Sequence, residues 1–276
     1  MRKMIKTAGL VSICVLFILI FFGHKIIERI IFRPTELEPS VVFKFDKPFE
    51  EFFIITEPEV NINIIKFPVK NPKGSILYFH GNKDNLMRWG EIASQFSAYD
   101  FDVYVFDYRG YGKSTGAPSE SGILKDSEII FEKINKKYPD QHWIFYGRSL
   151  GTGVAAYLSS KYNPKGLILE APYFSMVDLI AHYYFPYAWY RHKVSFDSYR
   201  YLKESSFPVL ILHGTNDRVV PIEEGQKLFK TLQNPKKRMV IIKHGTHDNL
   251  AGFYEYQKTM QNFLNEECDP LGKSGF

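Results

Sequence analysis

The chain has 276 residues, 35 Lys+Arg against 30 Asp+Glu, and two cysteines. That length suffices for one large α/β domain or two small ones, and 45% hydrophobic with 24% charged residues excludes wholesale disorder. The +5 formal charge sits at one end: residues 1–33 carry Arg2, Lys3, Lys6, Lys25, Arg29 and Arg33 against Glu28 alone, which leaves a neutral body. A basic head on a neutral body is not the footprint of a nucleic-acid-binding domain, so no nucleic-acid partner is expected.

After Met1–Lys6 comes an apolar stretch, Ala8 to Phe22, interrupted only by Gly9 and Ser12. As a helix it is about 22 Å long, and snorkelling by Lys6 and Lys25 narrows the gap to a bilayer core of roughly 30 Å. Gly23-His24-Lys25-Ile26 follows, with no Ala-x-Ala-like cleavage site. Ile13 precedes Cys14 where a lipoprotein signal requires a small residue. An uncleaved signal anchor over residues 1–33, with the body, 34–276, on the non-cytoplasmic side, fits best; a buried N-terminal helix is the alternative, disfavoured because no polar face exists between Leu10 and Phe22. Cys14 falls in the anchor and Cys268 in the tail, so no structural disulfide is expected.

Beyond Pro34 the chain opens with two β-rich runs, Phe49–Thr56 and Val60–Phe67, split by Glu57-Pro58-Glu59. Six further short apolar runs follow: Ser75–Phe79, Val103–Asp107, His142–Tyr146, Gly166–Leu169, Val209–Leu212 and Met239–Ile242. Helical patterns lie between most of them, at Leu86–Phe96, Ser119–Lys137, Gly151–Tyr162, Ile222–Leu232 and Asn249–Leu264. Near-continuous apolar strands alternating with helices predict an α/β fold, with a mostly parallel eight-stranded sheet covered on both faces. Chemistry in such sheets collects at the carboxyl ends of the strands.

His142 to Gly153 reads as strand, Gly147-Arg148-Ser149-Leu150-Gly151 turn, and small-residue helix start. A sharp strand-to-helix turn that presents a strained serine leaves no room for bulk two residues before or after it, and glycines stand there. Ser149 is therefore the candidate nucleophile. It needs a base, expected late in the chain, with a carboxylate in between. Asp217 lies just past the Val209–Leu212 strand, and His247 follows the Gly245 turn after the last strand; His244 is the second candidate for the base. The backbone N–H of Leu150 and that of Asn82, in the turn after Ser75–Phe79, are the candidate oxyanion donors. His80 precedes the expected order and is read as structural. His244 and His247 have no supporting ligand cluster, so neither a metal nor any other cofactor is expected.

From about Val60 to Leu264 the chain resembles the α/β-hydrolase superfamily. The resemblance rests on His80-Gly81-Asn82, Asp107-Tyr-Arg-Gly-Tyr-Gly-Lys-Ser114, Gly147-Arg-Ser-Leu-Gly151, Glu170-Ala-Pro172, His213-Gly-Thr-Asn-Asp217 and Gly245-Thr-His247. Within the superfamily it is similar to the membrane-anchored branch related to serine aminopeptidase-like proteins and α/β-hydrolase-domain depalmitoylases. The resemblance implies a Ser149–Asp217–His247 triad, with Asn82 and Leu150 at the oxyanion and Asp107 in a structural loop. Lys83-Asp84 depart from the small residues usual after the oxyanion turn.

No strand intervenes between Pro172 and Ser206, where 11 of 35 residues are aromatic against 16% for the chain. An insertion after the sixth strand commonly forms a lid, so Tyr183, Phe185 and Trp189 are candidate substrate contacts. The expected activity is hydrolysis of carboxylic esters or thioesters of apolar acyl substrates, small molecules or acylated proteins, at a membrane. A peptidase on the same triad and a non-catalytic tethered module are the alternatives.

Overall fold

The computed structural model describes residues 28–139, 141–183 and 194–267. All eight sequence-derived strands are present: β1 Glu50–Glu57, β2 Val60–Phe67, β3 Gly74–Phe79, β4 Phe101–Phe106, β5 Trp143–Arg148, β6 Gly166–Glu170, β7 Val209–Gly214 and β8 Lys237–Ile242. They form one sheet in the order β8-β7-β6-β5-β3-β4-β2-β1. The pairs from β4 to β8 are parallel, whereas β1–β2 and β2–β4 are antiparallel.

Alternation along the strands divides the core into two layers. On one face, Leu77 and Phe79 of β3, Phe145 of β5 and Ile211 of β7 pack with Ile130, Phe131, Val154 and Leu158. Those partners come from α2, Glu120–Lys137, and α3, Leu150–Tyr162. On the other face, Ile76, Tyr78, Tyr146 and Leu210 pack with Trp89, Ala93 and Met260. These belong to α1, Leu86–Ser94, and to the last regular helix, Tyr254–Asn262. The inner strands are buried on both sides, which explains their unbroken hydrophobic runs. The edge strand β1 alternates instead, exposing Phe53 and Ile55.

Side-chain caps set two helix starts. Asn85 Oδ1 accepts from Met87 N at 3.0 Å, and Ser119 Oγ accepts from Gly122 N at 3.2 Å. Helix α4, Met176–Tyr183, and the short α5, Ser198–Leu202, lie in the insertion after β6; α6, Ile222–Thr231, follows β7. The final helical pattern, expected from Asn249, is broken at Phe253, which is extended between a 3₁₀ turn and α7, Tyr254–Asn262. Phe185 and Trp189 lie outside the described residues, as do Ala8–Phe22 and both cysteines.

At the other end, Ile31 and Phe32 are buried against the body, N-terminal to the division that the sequence suggested at residue 33. Arg33-Pro34 then pair in parallel with Lys83-Asp84 beside the main sheet. None of the helices among the described residues is long and apolar enough to cross a membrane.

Candidate active site

β5 delivers Ser149 directly into α3. Its backbone adopts φ 52° and ψ −119°, a conformation costly for a non-glycine residue. Two glycines make the turn possible. A Cβ on Gly147 would lie 2.5 Å from the Gly151 carbonyl oxygen, and one on Gly151 would lie 2.1 Å from that of Phe79. The turn is pinned by Ser149 N–H donating to Glu170 O at 2.9 Å and by Thr152 Oγ1 donating to Ser149 O at 2.7 Å.

Asp217 and His247 come from the loops after β7 and β8. Those loops are stitched together: Thr215 N donates to Ile242 O at 3.0 Å, Asn216 N to Gly245 O at 2.8 Å, and His244 N to Thr215 Oγ1 at 2.8 Å. The stitching brings His247 Nδ1 to 2.8 Å from Asp217 Oδ2. The other carboxylate oxygen accepts from Val219 N and Val220 N, each at 2.9 Å. Burial opposes the charge on Asp217, but the His247 hydrogen bond and charge, with the Val220 and Val219 N–H groups, outweigh it and hold the carboxyl below its ordinary pKa. His244, the other candidate base, has an exposed side chain, and the Asp217 carboxylate is directed to His247.

Two further histidines are fully buried. His213 Nε2 donates to Val220 O at 2.9 Å and lies 3.6 Å from Asp217 Oδ2. Burial lowers its pKa and keeps it neutral. His80 packs against Tyr108, ring centroids 4.0 Å apart, and desolvation lowers its pKa to about 4. Its Nε2 lies 3.7 Å from Asp107 Oδ1, and burial pushes the Asp107 carboxyl well up. Asp107 serves the backbone, accepting from Leu86 N at 3.2 Å. The structural reading of both residues agrees with these contacts.

Sequence reasoning missed Arg148. This buried guanidinium donates through Nη2 to His247 O at 3.0 Å and to Asp248 Oδ1 at 3.1 Å, and its Nε lies 3.4 Å from Glu170 Oε1. Glu170 also accepts from the Tyr146 hydroxyl, which meets Tyr256 Oη at 2.8 Å. The residue before Ser149 thus anchors the backbone of His247. Burial disfavours the charge of Arg148, but Glu170, the nearby tyrosines and Asp248 more than offset it, so its pKa is raised.

Ser149, Leu150 and Asn82 open together on a cavity of about 360 Å³. Its walls are largely apolar, with Ile30, Ile31, Met176, Leu179, Ile180, Tyr183 and Val219 among them. Arg33, Lys83 and Arg218 also line it, and no carboxylate does so among the described residues. Tyr183 is held there by its hydroxyl, which donates to Arg218 O at 2.8 Å. Of the other insertion aromatics, Tyr173 also lines the cavity and donates to Leu150 O at 3.0 Å, Phe196 is fully buried, and Phe174 stacks on Tyr199 within the insertion.

A family model described as serine aminopeptidase, S33, matches residues 70–196 and 197–251. The chain belongs to this family of the α/β-hydrolase superfamily. This S33-family hydrolase is 29% identical over 261 residues to protein bem46 of Schizosaccharomyces pombe, covering 86% of this chain and 85% of that one. It is 29% identical over 180 residues to the uncharacterized protein YfhR of Escherichia coli K12, covering 63% of each chain. With the lysophosphatidylserine lipase ABHD12 of Macaca fascicularis it shares 34% identity over 177 residues, covering 56% of this chain but 44% of that protein. The match therefore spans less than two thirds of YfhR and under half of ABHD12. The Pyrococcus furiosus esterase Pf2001 superposes with a TM-score of 0.65 at 18% identity, covering 84% of this chain and 98% of the esterase, a likeness of fold.

Proposed function

We propose that this hydrolase cleaves ester or thioester bonds of amphiphilic acyl substrates through an acyl-enzyme on Ser149. The observation that carries the reading is the apolar cavity opening onto Ser149, Asn82 and Leu150, with the Asp217–His247 pair formed. In the proposed cycle Ser149 Oγ attacks the acyl carbonyl while His247 Nε2 takes its proton. The oxyanion forms against the N–H groups of Leu150 and Asn82, and the leaving group departs with the proton from His247. Water then repeats the sequence and frees the acid. The N–H groups at a helix start have no intrahelical acceptor, which leaves that of Leu150 free for the oxyanion.

The substrate end of the proposal follows from the walls. Apolar side chains suit an acyl chain, Arg33, Lys83 and Arg218 suit an anionic head, and the lysophosphatidylserine lipases among the relatives support a monoacyl lipid. An aminopeptidase needs a carboxylate to clamp the substrate's ammonium group, and none lines the cavity among the described residues. Ala8–Phe22 completes the proposal as a single-pass anchor that holds the body at the membrane, on the non-cytoplasmic side.

Chain-length preference tests the substrate reading. The kcat/KM on p-nitrophenyl octanoate should exceed that on the acetate by roughly tenfold or more, given about 0.8 kcal/mol per buried methylene. Strict preference for acetate contradicts it.

A further inference from the structure

The segment that leads out of the apolar N-terminus is woven into the loop that carries Asn82. Asn82 is held at two atoms. Its Nδ2 donates to Ile31 O at 3.0 Å, and its carbonyl oxygen accepts from Arg33 N at 3.1 Å and from the Tyr111 hydroxyl at 3.0 Å. The same Arg33 N–H also reaches Tyr111 Oη, at 3.1 Å, so one hydroxyl joins both segments. Parallel pairing of Arg33-Pro34 with Lys83-Asp84 extends the seam on one side. On the other, Gly112 N donates to Thr35 O at 3.0 Å, Leu37 N to Gly112 O at 2.8 Å, and Asn85 Nδ2 to Thr35 O at 3.1 Å.

Packing fixes the seam in place. Ile31 and Phe32 are buried, and Phe32 meets Phe196 of the insertion edge-on at 6.4 Å. Tyr111 is fully buried, and burial raises its pKa, so its hydroxyl remains a donor. The Asn82 N–H itself donates to no protein acceptor among the described residues.

We propose that residues 31–37 form a positioning strap, and that Tyr111 is the positioning residue through which the strap aims the Asn82 N–H at the oxyanion. The proposal rests on the acyl-enzyme reading above and deepens it: the stretch joining the N-terminal segment to the body completes the catalytic loop. Tyr111 touches no reacting atom. It acts through the Asn82 carbonyl, and a donor displaced by a fraction of an ångström loses transition-state stabilisation without losing substrate affinity.

The test uses the full-length protein and p-nitrophenyl octanoate. Tyr111→Phe keeps the ring and removes the bridging hydroxyl. Asn82→Ala keeps the backbone donor and removes the bond to Ile31. Each variant should lower kcat roughly tenfold, less than the 10²–10³ for complete loss of an oxyanion donor, with KM within about twofold. Affinity for a trifluoromethyl ketone, whose adduct carries the oxyanion, should fall in parallel. Unchanged kcat and ketone affinity in a folded variant of either kind overturn the strap. A lower melting temperature with unchanged kcat also overturns it, because a merely structural seam gives that result. If Tyr111→Phe does not fold, Asn82→Ala decides. Failure of the underlying reading looks different: Ser149→Ala would then retain hydrolysis.

Discussion

His247 Nδ1 lies 2.8 Å from Asp217 Oδ2, while the second oxygen of Asp217 is taken by two backbone N–H groups. An ionised carboxylate only accepts, so Nδ1 carries the imidazole proton and Nε2 presents a lone pair. Asp217→Asn keeps an oxygen for Val219 and Val220 but turns an NH₂ toward His247. That reverses the tautomer and puts the proton on Nε2. A kcat loss of roughly 10³–10⁴-fold with little change in KM is expected from steady-state ester hydrolysis. A loss below tenfold would detach Asp217 from the chemistry.

Arg148, immediately before Ser149 in the turn, forms a buried pair with Glu170 and also holds the His247 carbonyl. Arg148→Met leaves Glu170 without its charge partner and should cost about 3–5 kcal/mol in urea unfolding. Arg148→Met/Glu170→Gln should recover much of that stability. Its kcat should stay low, because the His247 carbonyl has still lost its donor. Full recovery of kcat in the double variant would show that Arg148 acts on stability alone.

At Gly151 the obstacle to a side chain is backbone, the carbonyl of Phe79, and backbone cannot swing aside. Gly151→Ala is expected to destabilise by about 3 kcal/mol. Chemical denaturation should find this loss, accompanied by loss of ester hydrolysis as Ser149 is displaced.

Glu224 accepts from Phe174 N at 2.9 Å beside Asp178, and burial, offset only in part by that hydrogen bond, raises its pKa to about 7 from 4.5. Between pH 4.5 and 7 the folded chain keeps a proton that the unfolded chain has released, so this group's contribution to stability falls as pH rises. Glu224→Gln removes the penalty. Discounted for partial solvent screening, the expected gain in Tm is about 2–4 °C at pH 8 and none at pH 4.5. Thermal melts across that range measure it, and equal shifts at both ends would refute the assignment.

The sheet was legible because burial on both faces writes unbroken apolar runs into β3, β5 and β7, bounded by turn residues. The strained turn at Ser149 and the pairing of Asp217 with His247 were legible because each of the three residues ends or follows a strand in a recognisable turn. The contacts that position them were not. Arg148 reads as an ordinary variable position inside Gly147-Arg148-Ser149, and its bond to His247 spans 99 residues. The strap hid for the same reason: its bonds to Asn82 and Tyr111 span 51 and 78 residues and run mostly through backbone atoms, which have no sequence signature. The aromatic insertion was legible only as a group. Tyr183 and the buried Tyr173 line the cavity, whereas Phe196 is buried against the body, and aromatic content alone does not separate a wall from a core.

Covalent labelling of Ser149 tests the central claim most directly. A fluorophosphonate forms its adduct only with an activated serine, so wild-type protein should label completely and Ser149→Ala should not label at all. Mass spectrometry should place the adduct on the peptide containing Gly147–Gly151. Equal labelling of the two proteins, or an adduct at another serine, would contradict the account.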